Sequence, residues 1–471
     1  MKTDFAKLDR AFNPRTIVVV GDKGDNKYLW LTAQSEFKGA LYSVQIAPQE
    51  FDGIAALGVK NFTSLMDVPD PIDLAIVSVP RVVAPRVLDD CIQKGVAAAH
   101  FFTSGFAETS TKEGINLEKI LIEKSQAANF HLIGPNCMGI YNPRVGVKQS
   151  PIQYSGIAGP IGLISQSGTH AINFSIEAHL HGLNISKSVS FGNGIILDSA
   201  DYLEYFAQDK DIEAIGIYIE GPKDGQRFFR VLKETAARKP VVIWKGGRTD
   251  AGSRAIASHT GALAAQAAVW DAAVRQCGAV TAANMEELID ILKAIIYLRP
   301  VKGDRVAITG GSGGLSVAVA DAFAEAGLQV PRLTRKSYDE FASFFSLIGG
   351  GYQNPVDTGN ANSREMKRIL SILEADDNID NIVLLLTARY KSMYLTDQII
   401  NATIDMRNST SKPVAAILSY SFSAEYMEKA QTLIKKLQDG GIPTFVSLER
   451  GALALKKTLE YYRSKNSQKT E

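Results

Sequence analysis

Cysteine is scarce in this chain. Cys91, Cys137 and Cys277 lie far apart among 471 residues, with no CxxC pair. That excludes a disulfide scaffold and a zinc ribbon, and it fits a reducing compartment. Charge of one sign is lacking too. The 51 Lys and Arg balance 50 Asp and Glu, so no net field draws the chain to a phosphate backbone or an anionic membrane, and neither nucleic acid nor a membrane is an expected partner. No apolar run approaches the roughly 18 residues of a membrane helix, and the opening MKTDFAKLDRAFNPR has no apolar signal core. The expected location is cytoplasmic. The sequence also has no Walker A motif, no GxGxxG after its first strand and no HExxH. No low-complexity tract or repeat interrupts it.

What is present is a globular composition, 45% hydrophobic and 21% charged. At roughly 150 residues per domain, the length suggests about three domains. Short β-branched runs end in Gly, Pro or Ser and give way to helical patterns, the rhythm of βα units on a parallel sheet. The first series has strands expected at 16–20, 42–46, 74–79, 98–103 and 131–133, which sum to a doubly wound, Rossmann-like domain over 1–148. The Gly-, Pro- and Asn-rich stretch from Gly134 to Pro160 reads as linker and loop. A second series over 149–300 has strands at 161–164, 185–190, 214–219 and 241–244. A third over 301–465 has strands at 305–309, 382–386 and 414–418, before a polar tail, 466–471.

Several turns carry chemistry. In VVVGDKGDN, Gly21 and Gly24 relieve crowding at the first βα turn, which reads first as a bare tight turn and second as a nucleotide or pyrophosphate site. In GLISQSGTH, Ser165, Gln166, Ser167 and Gly168 offer hydroxyls and N–H donors at the positive end of a helix dipole, suited to a phosphate dianion or to simple capping. SFGNG leaves another strand through Gly192, Asn193 and Gly194, residues that suit a positive φ. His259 sits in a loop of small residues, ASHTGALAA, where a neutral imidazole is a competent nucleophile; Glu220, ending IYIEG, projects from the same end of the sheet. GGSGG at 310–314 satisfies GxSxG, but no histidine follows His259, so a hydrolase order of residues fails.

Taken together, GPNCMG, LISQSG, SFGNG with DYLEYFAQD, IYIEG, SHTGALA and NPVD, supported by SVP and GFAE, resemble the nucleoside-diphosphate-forming acyl-CoA synthetases, relatives of succinyl-CoA synthetase. The likeness runs over nearly the whole chain. It implies an α/β fold: an N-terminal Rossmann-like CoA-binding domain followed by two flavodoxin-like parallel-sheet domains. It implies that His259 is phosphorylated, that Glu220 stabilises the phosphoimidazole, and that Ser165 to Gly168 and Gly192 to Gly194 hold phosphate. Coenzyme A, as substrate, would lie along Gly21, Lys23, Gly24, Asp25, Asn26, Ser78, Val79, Pro80, Thr103, Ser104, Gly105, Phe106 and Asn136. The implied reaction interconverts acyl-CoA, ADP and phosphate with carboxylic acid, CoA and ATP. The third series has flavodoxin-like layout rather than that of an ATP-grasp module. The chain is therefore expected to be an alpha-type subunit, with ADP or ATP and Mg2+ held by a separate ATP-grasp beta-type subunit in an α2β2-like assembly; no metal site is expected on this chain. Ile172 stands where succinyl-CoA synthetases carry a Tyr, which argues against a small dicarboxylate. GDKGD and Gln49 also depart from the pattern around CoA. The competing reading is a non-catalytic module that binds CoA or acyl-CoA and regulates a partner.

Overall fold

The computed structural model describes residues 2–69, 71–252, 254, 267–311, 314–359, 361–387, 393–419 and 424–467. The chain forms two compact units, one made of residues up to Met285 except Leu180–Gly182, the other of those three residues and Glu286 onward.

The first unit holds two sheets. In the first, β1 (Thr16–Val20), β2 (Ala40–Val44), β3 (Lys60–Phe62), β4 (Leu74–Val77), β5 (Ala98–Phe101) and β6 (His131–Ile133) lie in the order β3-β2-β1-β4-β5-β6, and every pairing is parallel. This is the doubly wound order, in which ligands sit beyond the carboxyl ends of the strands near the reversal at β1 and β4. All five residues of TIVVV in β1 are buried, as expected for a strand covered on both faces. The covering helices are amphipathic: Ala84–Lys94 buries Ala84, Val87, Leu88 and Cys91, at helical spacing, and stops at Gly95 with φ 73°.

The second sheet runs β12-β11-β10-β8-β9-β7, from β7 (Gly139–Tyr141), β8 (Ile161–Ser165), β9 (Ile185–Ser190), β10 (Ala214–Ile219), β11 (Val241–Lys245) and β12 (Val280–Ala282). Five strands are parallel, while β7 pairs antiparallel with β9. The stretch expected to be linker thus supplies an edge strand. Its polar groups are bonded as well: Gln34 and Lys148 exchange two hydrogen bonds, and Gln149 donates to the Gly139 carbonyl. Lack of apolar periodicity misread a segment whose backbone is satisfied by neighbouring elements. A helix at Phe5–Phe12, also not foreseen, stacks Phe12 on Tyr205 at 5.0 Å and so joins both sheets to one core.

In the second unit β13 (Val306–Gly310), β14 (Asn381–Thr387), β15 (Val414–Ser419) and β16 (Thr444–Phe445) form a parallel sheet in that order. The NPVD motif lies beside β13: Asn354 receives the Ile308 N–H and donates to the Val306 and Pro331 carbonyls, and Val356 N–H donates to Ile308. Among the described residues, no helix is long and apolar enough to cross a membrane.

Candidate active site

The carboxyl ends of β1, β4, β5 and β6 carry the loops that hold most of the residues expected along CoA. Gly21 has φ 83°, and a Cβ there would lie 2.5 Å from Val79 Cγ1 and 2.8 Å from the Ser78 carbonyl oxygen. Only glycine fits this approach. Next along, Thr103 Oγ1 donates to the Val79 carbonyl at 2.7 Å and Asn136 N–H donates to the Thr103 carbonyl at 3.0 Å. Gly21, Ser78 to Pro80, Thr103 and Asn136 therefore form one rim.

Two parts of that rim differ from expectation. The first turn does not run straight into a helix: a single 3-10 turn at Gly24–Asn26 and left-handed Lys27 and Tyr28 precede the short helix Leu29–Ala33. Its N–H groups are already engaged, Lys23 by Asp22 Oδ1 at 3.2 Å and Gly24 by Glu50 Oε2 at 2.8 Å. Asp22 Oδ2 in turn receives Trp30 and Leu31 N–H, and burial pushes its carboxyl above the usual range. A carboxylate-satisfied turn has no N–H at these two positions to offer a pyrophosphate. Phe106 is likewise not a cleft residue as it stands: its ring is fully buried and its N–H goes to Glu108. Gly105 N–H goes to Glu108 as well, at 2.6 Å, with Arg81 bonded to the Gly105 carbonyl.

The second sheet meets this rim through GPNCMG and SFGNG. Asn193 N–H donates to the Pro135 carbonyl; its Nδ2 donates to Glu108 at 2.7 Å and to Glu118 at 3.1 Å, while its Oδ1 receives Asn136 Nδ2 at 3.4 Å. Gly192 has φ 51°, and a Cβ on it would run into the Asn136 carbonyl. Met138 N–H donates to Ser190 Oγ, and a Cβ on Gly168 would meet Met138 Cγ at 2.5 Å. The three glycine-bearing motifs are thus packed against one another, and Asn193 serves as the bridge between the sheets rather than as a free side chain.

The SQSG turn caps the helix Gly168–Leu180. Ser165 is fully buried, and its Oγ donates to the Ser167 carbonyl and receives the Ser167 N–H, so this hydroxyl shapes the turn. Gln166 Oε1 accepts from the N–H groups of Glu220, at 2.8 Å, and Gly221. Glu220 is 9% exposed; Tyr218 donates to its Oε1 at 3.3 Å, and its Oε2 is buried without a hydrogen-bond partner. Lys245 Nζ holds the carbonyls of Glu220 and Gly246, and burial lowers its pKa. His259 and its SHTGALA motif, like Ser312, lie outside the described residues.

Reasoning from sequence missed Glu108, Glu118 and Lys245, and also a ring cluster of His170, Tyr218 and Trp244. The strings IYIEG and IWKGG contained two of those rings, at paired positions of adjacent strands, Tyr218 opposite Trp244. Neither string says that a histidine on the helix Gly168–Leu180, which follows β8, completes the set.

Family models match residues 15–143 as a CoA binding domain and 158–295 as a succinyl-CoA ligase-like flavodoxin domain. The chain is 35% identical over 457 residues to the alpha subunit of the ADP-forming acetate–CoA ligase II of Pyrococcus furiosus, covering 95% of this chain and 96% of that one. It is 34% identical to the ADP-forming acetate–CoA ligase I of Archaeoglobus fulgidus, where the match covers 81% of this chain and 55% of that one. The dinucleotide-forming acetyl-coenzyme A synthetase 1 of Candidatus Korarchaeum cryptofilum, solved with phosphate and ADP, superposes with a TM-score of 0.82 at 27% identity, covering 98% of both chains. With family-model domains in this order and a relative this similar over nearly its full length, the chain belongs to the NDP-forming acyl-CoA synthetase family, as an alpha-subunit type of CoA ligase.

Proposed function

We propose that this chain is the alpha subunit of an ADP-forming acyl-CoA synthetase working through a phosphorylated His259. A phosphate oxygen attacks the thioester carbonyl, the C–S bond breaks, and the thiolate leaves as CoA after gaining the phosphate proton. The His259 imidazole then attacks phosphorus, the acyl phosphate P–O bond breaks, and the carboxylate departs. The phosphoryl group finally passes to the terminal oxygen of ADP, which restores the imidazole. Nucleotide and Mg2+ belong to an ATP-grasp beta subunit in an α2β2 assembly, and the chain works in the cytoplasm.

One observation carries this reading. The CoA-side rim is bonded to SFGNG through Asn136 with Asn193 and Met138 with Ser190, SFGNG is bonded to the SQSG turn by Phe191 N–H donating to the Ser165 carbonyl, and Glu220 is tied to that turn by Gln166. A thioester on one rim and a phosphate at the neighbouring helix N-terminus meet without either being carried through solvent. Glu220, with one carboxylate oxygen unmet, suits an imidazole that becomes charged on phosphorylation. Acetate is the acid named for the Pyrococcus relative, and a small monocarboxylate is the proposed substrate class here. The test is co-purification with an ATP-grasp subunit and assay of ATP formation from ADP, phosphate and a series of acyl-CoAs. Activity that requires both chains and is lost in His259→Ala is expected; thioester-dependent ATP formation that survives His259→Ala contradicts the reading.

A further inference from the structure

His170, the third residue of the helix Gly168–Leu180, has no part in the scheme above. Its ring stands 4.5 Å from that of Tyr218 and 4.6 Å from that of Trp244, which are themselves 4.6 Å apart. Its Nδ1 is buried with no hydrogen-bond partner. Its own N–H donates to Ser167 Oγ at 3.3 Å, which fixes the residue to the SQSG turn. Among the described residues, the groups facing it are few. From β10 comes Tyr218 and from the residue just past its end Glu220, from β11 Trp244, with Lys245 next in that strand committed to two carbonyls, and from its own turn Ser167.

This arrangement poses an electrostatic problem. A phosphate dianion at the turn would sit beside the Glu220 carboxylate, whose Oε2 has no partner and whose backbone is bonded to Gln166 of the same turn. The helix dipole supplies roughly half a positive charge. The Lys245 ammonium faces the backbone of Glu220 and Gly246. The remaining group able to become cationic among these is the imidazole of His170.

We propose that His170 takes up a proton when a phosphate dianion occupies the turn Ser165 to Gly168, and that the imidazolium holds the anion against the Glu220 carboxylate. This rests on the reading of that turn as the phosphate site. With the turn empty, burial lowers the His170 pKa and Glu220 only partly offsets it, so the ring is neutral near pH 7. An anion within about 4–6 Å raises such a pKa by ~1–3 units, and the proton comes from solvent. His170 is thus a positioning residue that couples phosphate entry to proton uptake.

The probe is sulfate, a dianion that does not titrate near neutrality. Sulfate binding to the full-length chain, in the presence of CoA and the ATP-grasp subunit, is measured by calorimetry at about pH 7 in two buffers of different ionisation enthalpy. Wild type is expected to take up a fraction of a proton per sulfate, at most one, read as an enthalpy that differs between the two buffers. His170→Gln, which keeps a polar side chain that does not titrate, is expected to bind sulfate more weakly and without buffer-dependent enthalpy. His170→Leu, which fills the space between the two rings, repeats the test should the glutamine variant fold poorly. Equal proton uptake by wild type and either variant, or wild-type binding without uptake, overturns this proposal and leaves the ligase reading intact. If neither sulfate nor inorganic phosphate binds the wild type at all, the phosphate-turn reading fails and this proposal falls with it.

Discussion

The backbone N–H of Glu220 donates to the side-chain oxygen of Gln166 at 2.8 Å, and the next N–H, of Gly221, goes to the same oxygen. The end of β10 and the turn after β8 are therefore positioned by one amide. Gln166→Ala leaves two N–H groups without this acceptor, a loss of about 1–3 kcal/mol where the site is closed to water. A lower melting temperature and slower phosphoenzyme formation are expected together. Gln166→Glu, which keeps an acceptor but adds negative charge, should recover much of the stability and still weaken phosphate binding. Denaturant melts and phosphate titration separate the two effects.

Glu220→Gln tests charge without changing shape. Removing the carboxylate charge proposed to stabilise the phosphorylated imidazole should slow phosphoenzyme formation by about 10²–10³-fold, the usual effect of losing one preorganised electrostatic partner. Rapid-quench labelling measures the rate. A melting temperature near that of wild type shows that the loss is chemical.

Gly21→Ala places a methyl 2.5 Å from Val79 Cγ1 at a φ of 83°. The same methyl would lie 2.8 Å from the Ser78 backbone carbonyl oxygen, which cannot turn aside as a side chain can, and the adjoining Val79 carbonyl is held by the Thr103 hydroxyl. Strain of about 1–3 kcal/mol is expected, together with roughly tenfold weaker CoA binding, as follows from about 1.4 kcal/mol lost at the rim. Calorimetric titration with CoA checks it. Affinity equal to wild type would remove this turn from the CoA path.

Acid should lower stability in part through two buried histidines. Burial pushes the pKa of His100 down to about 4, partly opposed by its hydrogen bond to the Cys137 carbonyl, and that of His131 also to about 4, by burial and then by Lys7. Both are charged more readily in the unfolded chain, whose histidines titrate near 6.5. Their contribution is fully present above about pH 6.5 and is lost as pH falls towards 4, at up to about 1.4 kcal/mol per pH unit for each. Urea unfolding at pH 7 and pH 5 measures the slope, which should be shallower in His100→Gln. An unchanged slope contradicts the assignment.

Much of the fold was legible because strands covered on both faces read as short runs bounded by turn-forming residues. TIVVV at Thr16–Val20 and the runs at Ile185–Ser190 and Ala214–Ile219 fall on their strands. The short edge strands at Lys60–Phe62, Gly139–Tyr141, Val280–Ala282 and Thr444–Phe445 were not, since two or three residues carry no period, and Gly139–Tyr141 is embedded in turn-forming residues. The site was legible as motifs and illegible as contacts. SQSG signals a helix start, but that Ser165 spends its hydroxyl on Ser167, or that Glu50 covers Gly24, depends on what the fold brings near. His170 gave no signal at all, because a single histidine on a helix acquires meaning only from the two rings opposite it.

The central claim is that a phosphoryl group resides on His259 during turnover. Its most direct measurement is peptide mapping by mass spectrometry at alkaline pH, after incubation of the wild-type chain with acyl-CoA and phosphate and, separately, with ATP and the ATP-grasp subunit. The account predicts an acid-labile phosphoryl group on the peptide bearing His259 from both directions, discharged by ADP and absent in His259→Ala. Thioester-dependent ATP formation with that peptide unmodified, or with the phosphoryl group on another residue of this chain, would contradict it.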